Sequence, residues 1–200
     1  MDTQKNTVID GSVKLPIFNI RYLLHKHSVE TKLFNNYEFI LPEFDEMKEY
    51  YKYFVTLMKG TYSDELVKMS SWHRSNDNLS ESLLIGLVQN NDKMGMVSFD
   101  RRIIHQSKSN YEYIINLDTV FLRKKYQKFG YANDFKFIIN TIVSKDLSYF
   151  KKHKLLITPT LTADIDTTDG LDFFEHLFDI IRDALTLSKV NFINYDSIYS

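Results

Sequence analysis

Residues Gln127-Lys128-Phe129-Gly130-Tyr131-Ala132 form a Q-x-x-G-x-A loop between an apolar, strand-like run and an amphipathic, helix-like run. A strand that turns through glycine into a helix leaves the first helical N–H groups unpaired, clustered and backed by the positive end of the helix dipole. Glycine also lets the backbone come close to a ligand. Such a corner suits phosphate, with Gln127 through Ala132 as the donors. Arg123, Lys124, Lys125 and Lys128 add positive charge around it. A second cluster of oxygens lies at Asp164-x-Asp166-x-Thr168-Asp169-Gly170-Leu171-Asp172-x-x-Glu175. It approaches a calcium-loop template, but its glycine falls one position late and a strand-like run precedes it where a helix is needed. Asp169 and Asp172 are better read as capping and charging the N-terminus of a helix, or as rimming a cleft that draws a cation.

The elements that must position these residues follow from periodicity. Residues 37–42 read as a strand, and Pro42 with Asp45 opens a helix carrying Met47, Tyr51, Phe54, Val55 and Met58 that Gly60 closes. A second helix runs from Ser63-Asp64 to the polar stretch 75–78. Residues 82–89 and 94–99 form a hairpin across the turn Asn90-Asn91-Asp92, and 111–122 supply a third consecutive strand. The helix after Gly130 repeats Ala132, Phe135, Ile138, Ile139 and Ile142. A strand at 155–158, a helix carrying Phe174, Leu177, Phe178, Ile181 and Leu185, and a final strand within 190–199 complete the chain. Residues 1–35 are a lead-in with one short strand at 15–20.

Composition narrows the chemistry. The 200 residues suit one domain, and Lys+Arg 25 against Asp+Glu 26 leaves no strong field of the kind a dedicated nucleic-acid binder carries. The absence of cysteine excludes a thiol nucleophile, a protein thioester, disulfides and cysteine zinc sites. No apolar signal segment opens the chain and no apolar run is long enough to span a membrane, so a cytoplasmic protein is expected. His25-x-His27 lacks a third ligand, and His73, His105 and His153 are isolated, so no metal is expected. The run 149–154, basic and aromatic, reads as a solvated helix end.

The order strand, helix, helix, three antiparallel strands, glycine-loop helix, strand, helix, strand resembles the GNAT superfamily of acyl-CoA-dependent N-acyltransferases. Leu122-Arg123-Lys124-Lys125-Tyr126-Gln127-Lys128-Phe129-Gly130-Tyr131-Ala132 carries the sharpest likeness, although Lys124 stands where the family usually has proline. The resemblance covers roughly residues 37–165, and 166–200 diverge. It implies a single α/β (α+β) domain over 1–200, with a mixed, mostly antiparallel sheet flanked by helices and the phosphate loop between the fourth strand and third helix. It also implies acetyl-CoA as co-substrate, held by Val120, Phe121, Leu122, Gln127, Lys128, Phe129, Gly130, Tyr131 and Ala132. The partner is an amine acceptor, whether small molecule, peptide or protein; neither nucleic acid nor membrane is implied, and a homodimer is left open.

In such enzymes the amine attacks the thioester directly, which needs a base because most amines are protonated near neutral pH. The resemblance points to Asp118, which an alternating strand would put on one face with Val120 and Leu122; the plain alternative is a surface carboxylate. Family members often place a tyrosine on the last helix to protonate the leaving thiolate, and here Phe174 falls at that place, with His176 and Tyr131 as other donors. A catalytically silent acyl-CoA-binding or protein-interaction module is therefore the alternative function.

Overall fold

The computed structural model describes residues 37–41, 49, 53, 80–107, 110–165, 167–188 and 196–199. The expected lead-in, the strand at 15–20, the histidine pair at 25 and 27 and the residues around 73 lie outside them. So do the two expected helices at 42–60 and 63–78, apart from Glu49 and Tyr53, which are helical.

Six strands form one sheet in sequence order: β1 (Glu38–Ile40), β2 (Ser80–Gln89), β3 (Asp92–Ser107), β4 (Asn110–Leu122), β5 (Leu156–Ala163) and β6 (Asp196–Tyr199). The first four are antiparallel, whereas β5 runs parallel to β4 and β6 parallel to β5. Helix α1 (Tyr131–Lys152) joins β4 to β5, and α2 (Thr168–Ser188) joins β5 to β6. The expected class, a mixed and mostly antiparallel sheet flanked by helices with the glycine loop after the fourth strand, is the one observed.

The hairpin between β2 and β3 turns on Asn90 (φ 50°) and Asn91 (φ 64°), two left-handed residues of the type that matches strand twist. Asp92 belongs to β3 and not to the turn. Strand β3 also runs well past the expected end at Phe99, because the charged Asp100-Arg101-Arg102 continues the ladder instead of breaking it. Arg101 is fully buried, pairs with Asp146 of α1, and Asp146 also accepts the hydroxyl of Tyr113 on β4 at 2.6 Å. Burial and the neighbouring carboxylate hold the Tyr113 phenol well above its ordinary pKa, so it stays a donor. This buried clasp fastens α1 to the two central strands.

One face of the sheet carries Val97, Phe99, Ile103, Tyr113, Ile115, Leu117, Ile157 and Leu161, and both helices pack on it. Helix α1 contributes Phe135, Ile138, Ile139, Ile142, Val143 and Leu147, and α2 contributes Phe173, Phe174, Leu177, Ile181 and Leu185. The spacing is the i, i+3, i+4, i+7 pattern that gives a helix one apolar stripe.

Gly95 on β3 lies close against β4. A Cβ there would stand 2.4 Å from the Phe121 carbonyl and 2.6 Å from Leu122 Cδ2. Gly95→Ala should therefore cost about 1–3 kcal/mol through forced strand separation. Thermal unfolding checks this, and an unchanged midpoint would contradict the close approach.

Candidate functional site

The register between β3 and β4 slips at one place. Ser98 faces Thr119 but Phe99 faces Leu117, so Asp118 is an extra residue, a β-bulge. The slip corrects the expected alternation. Val120 pairs with Val97 and Leu122 with Gly95, and both apolar side chains pack against the core face. Asp118 instead takes hydrogen bonds from Ser98 and Asn116, on the opposite side of the sheet.

Pairing between β4 and β5 ends at Leu117 and Ala163. Beyond that point β4 pairs only with β3 through Leu122, and its other edge is open among the described residues. The Arg123 N–H donates to the Met94 carbonyl of β3, and the Phe121 carbonyl lies against Gly95, so the odd positions turn their backbone groups to β3. Val120 and Leu122 therefore turn theirs to the open edge. A cavity of about 570 Å³ occupies the gap, walled by residues 117–122 on one side and by Ala163, Asp164, Ile165 and Phe173 on the other.

The glycine corner closes one end of this cavity. Gly130 is left-handed (φ 85°) and forms the N-cap of α1 without a side-chain cap, while Lys128 is also left-handed (φ 69°). The expectation that Gln127 through Ala132 all offer amides needs correction at the first position. The Gln127 N–H goes to the Lys124 carbonyl at 3.3 Å, closing a short 3-10 turn, and the Gln127 side chain donates to the Leu122 carbonyl at 3.0 Å. The N–H groups of Lys128 through Ala132 have no backbone acceptor among the described residues.

Two of the cations are likewise committed. Asp92 on β3 pairs with Arg123, with Lys125 at 2.6 Å and with the Tyr126 hydroxyl at 2.6 Å. These donors, the Lys125 ammonium first, hold the Asp92 carboxyl down to about 2. Arg123 and Lys125 thus brace the turn, and Lys128 is the loop cation that borders the cavity. Val120, Phe121, Leu122, Gln127, Lys128 and Ala132 line it, whereas Phe129, Gly130 and Tyr131 shape the corner without lining it. Phe129 is 71% exposed, and the Tyr131 ring packs edge-on against Tyr37 at 5.0 Å.

Asp118 sits at the far end of the open edge. Ser98 donates to its Oδ2 at 3.2 Å and Asn116 Nδ2 to its Oδ1 at 2.7 Å, while Asn116 Oδ1 accepts the Thr162 hydroxyl at 2.6 Å. Burial first, and then the Asp100 carboxylate, raise Asp118 to about 7, against the pull of the two donors. Its position between protonated and ionised states near neutrality is what a general base needs.

The last helix presents a different residue from the one its sequence suggests. Phe174 is buried in the core and Phe173 faces the cavity. Neither His176, which is exposed, nor Tyr131 borders it. Asp164 and Asp169 do, but the cap of α2 is Thr167, whose hydroxyl accepts the Gly170 N–H at 3.0 Å. Among the described residues no group of three candidate ligands could hold a metal, and no described helix is long and apolar enough to cross a membrane. Sequence reading missed Ser98, Asp92, Asn116 and Asp100. The polar residues at 98, 100 and 116, two apart on neighbouring strands, were the available signal.

No protein-family profile matches the chain, and neither does any curated protein. Solved structures do. A possible acetyltransferase from Clostridium difficile 630 is 15% identical, with a TM-score of 0.47, 72% of this chain and 90% of that one being covered. A GNAT family acetyltransferase from Staphylococcus aureus is 13% identical (TM-score 0.38; 68% and 90% covered). A transcriptional regulator from Bacillus halodurans C-125 is 14% identical (TM-score 0.40; 70% and 91% covered). Overlap at this level carries no argument about activity. The fold itself is described by its own geometry: sequential antiparallel strands, a parallel β4–β5 pair that parts beside a bulge, and a glycine corner leading into α1.

Proposed function

We propose that the chain is an acetyl-CoA-dependent N-acetyltransferase that transfers the acetyl group to an amine by direct attack in a ternary complex. The observation that carries this reading is the placement of the open β4 edge between the glycine corner and Asp118. Leu122 lies four positions along the strand from Asp118, roughly 13 Å, a span that suits an extended pantetheine arm. The backbone groups of Val120 and the N–H of Leu122 would pair with its amides as a neighbouring strand would, the Leu122 carbonyl being taken by the Gln127 side chain. The amides of Lys128 to Ala132, with Lys128, would hold the pyrophosphate. The residues fit coenzyme A without a metal ligand set.

When bound, acetyl-CoA supplies the activated acyl group. Asp118 would take the proton from the incoming ammonium, a role supported by the bulge that turns its carboxylate out of the core face and by its place in the cavity wall. With Phe173, and not a tyrosine, facing the cavity from the last helix, the thiolate would leave unprotonated, which a thiol of pKa about 8.5 tolerates. That no tyrosine or histidine stands among the described residues lining the cavity also favours a second reading, a silent module that binds acyl-CoA without turnover.

A thermal-shift titration tests the shared part of both readings. Acetyl-CoA at a hundred times its Kd should stabilise the fold by about 2.7 kcal/mol, and no shift at millimolar coenzyme would refute the corner. Release of free coenzyme A from a panel of amines then separates enzyme from silent module.

A further inference from the structure

Asp100 has no place in the chemistry so far, yet its setting is the most unusual in the molecule. It is 1% exposed, and neither of its oxygens has a well-formed hydrogen bond, although the Asn116 side chain and its own backbone lie near enough to pull against the effect of burial. A buried carboxyl so weakly served is costly, and ordinary structural aspartates are fully paired. The adjacent guanidinium does not serve it: Arg101 points to the other face, to Asp146. On its own face Asp100 lies directly across from Asn116, the residue whose amide holds Asp118. Asn116 is itself fixed by the Thr162 hydroxyl on β5, so its amide has little freedom to turn.

We propose that Asp100 is a positioning residue for the base: a second buried carboxyl on the neighbouring strand that, with Asn116 between them, sets the charge state of Asp118 without touching the acceptor. The proposal rests on the acetyltransferase reading. Asp100 does not border the cavity, so it is no substrate ligand. The charged and polar groups around Asp118 are Ser98 and Asp100 on β3, with Arg102 beyond them, Asn116 on β4, and Asp164 past β5; Asp169 of α2 and Lys128 of the loop border the same cavity. Of these, Asp100 is the largest like-charge influence on Asp118, ahead of Asp164. Burial raises Asp100 as well. Two buried carboxyls on neighbouring strands, with one asparagine between them, lose their protons as a coupled pair, not as independent acids.

A charge on Asp100 makes ionisation of Asp118 harder. Asp118 is thereby a stronger base than an isolated aspartate, and the proton it takes from the amine relieves the repulsion from the neighbouring carboxyl.

The test follows the Asp118 carboxyl carbon by NMR in the full free protein, alongside the pH dependence of kcat/KM. In the unmodified protein the carbon should titrate in two steps, and a single-step curve would overturn the proposal whatever the fate of any variant. In Asp100→Asn both the titration and the acid limb of the rate profile should move down by about one pH unit, while Asp100→Glu should restore them. A rate lowered at every pH with the limb and the titration unmoved would make Asp100 merely structural. The NMR readout needs no turnover: coupled titration with no acetyl transfer to any amine would refute the enzyme reading and leave the pair standing.

Discussion

Asp118→Asn should lower turnover by about 10²- to 10⁴-fold while leaving acetyl-CoA affinity within about twofold, because a base acts on the amine proton and not on the coenzyme. Steady-state rates and a calorimetric titration of the same preparation check both halves. Full activity of the variant across pH would remove Asp118 from the mechanism. The same substitution should stabilise the fold. Asp118 is raised from 3.8 to about 7, so the folded state holds this proton more tightly than the unfolded chain does. Its ionised form therefore destabilises, with no cost below about pH 4 and the full cost above pH 7. Asparagine carries no such charge, and its carbonyl can still accept from Asn116. The variant should gain ~1–3 kcal/mol at pH 8, and the gain should fade toward pH 4. A protein more stable without its base trades stability for function, as active sites commonly do.

Gly130→Val should abolish coenzyme binding more thoroughly than it damages the fold. A Cβ at this position has no heavy atom within 4 Å, so nothing in the protein resists it sterically. The cost to folding is the left-handed φ of 85°, about 1–2 kcal/mol for a residue other than glycine. The open space beside it is where the pyrophosphate would approach the amides. Losing one or two charge-assisted hydrogen bonds there predicts binding weaker by about 10- to 1,000-fold. Calorimetry on the folded variant decides the matter, since an unchanged Kd would detach the corner from the coenzyme.

The glycine corner and the strands around it are legible because they are local. Gly130 stands between a period-two run and a period-3.6 run, and the structure puts a strand end and a helix start on either side of it. What escapes the sequence is non-local or hidden by periodicity. Leu117-Asp118-Thr119-Val120-Phe121-Leu122 reads as a regular alternation, and an extra residue leaves no mark in such a pattern until a partner strand supplies the register. Charges at Asp100, Arg101 and Arg102 look like the end of a strand. In the fold they lie in mid-strand, Arg101 paired with Asp146 across 45 residues of sequence. The basic look of the loop misleads for a similar reason: Asp92, some 30 residues earlier, holds Arg123 and Lys125. Phe174 fails as a guide because one residue of helix is about 100° of rotation, enough to exchange a core position for a cavity position.

The clasp of Arg101, Asp146 and Tyr113 has a mechanical meaning. A helix packed only by aliphatic side chains can roll about its axis with small changes in buried area, whereas a directional ion pair accepts one azimuth. Asp146 lies about 24 Å along α1 from Gly130, so the clasp fixes the rotation of a shaft whose far end is the glycine corner. The aim of the free amides at that corner thus depends on a contact four turns away as well as on the nearer Tyr37–Asp134 hydrogen bond, and removing the Tyr113 hydroxyl would loosen the more distant of two torsional stops.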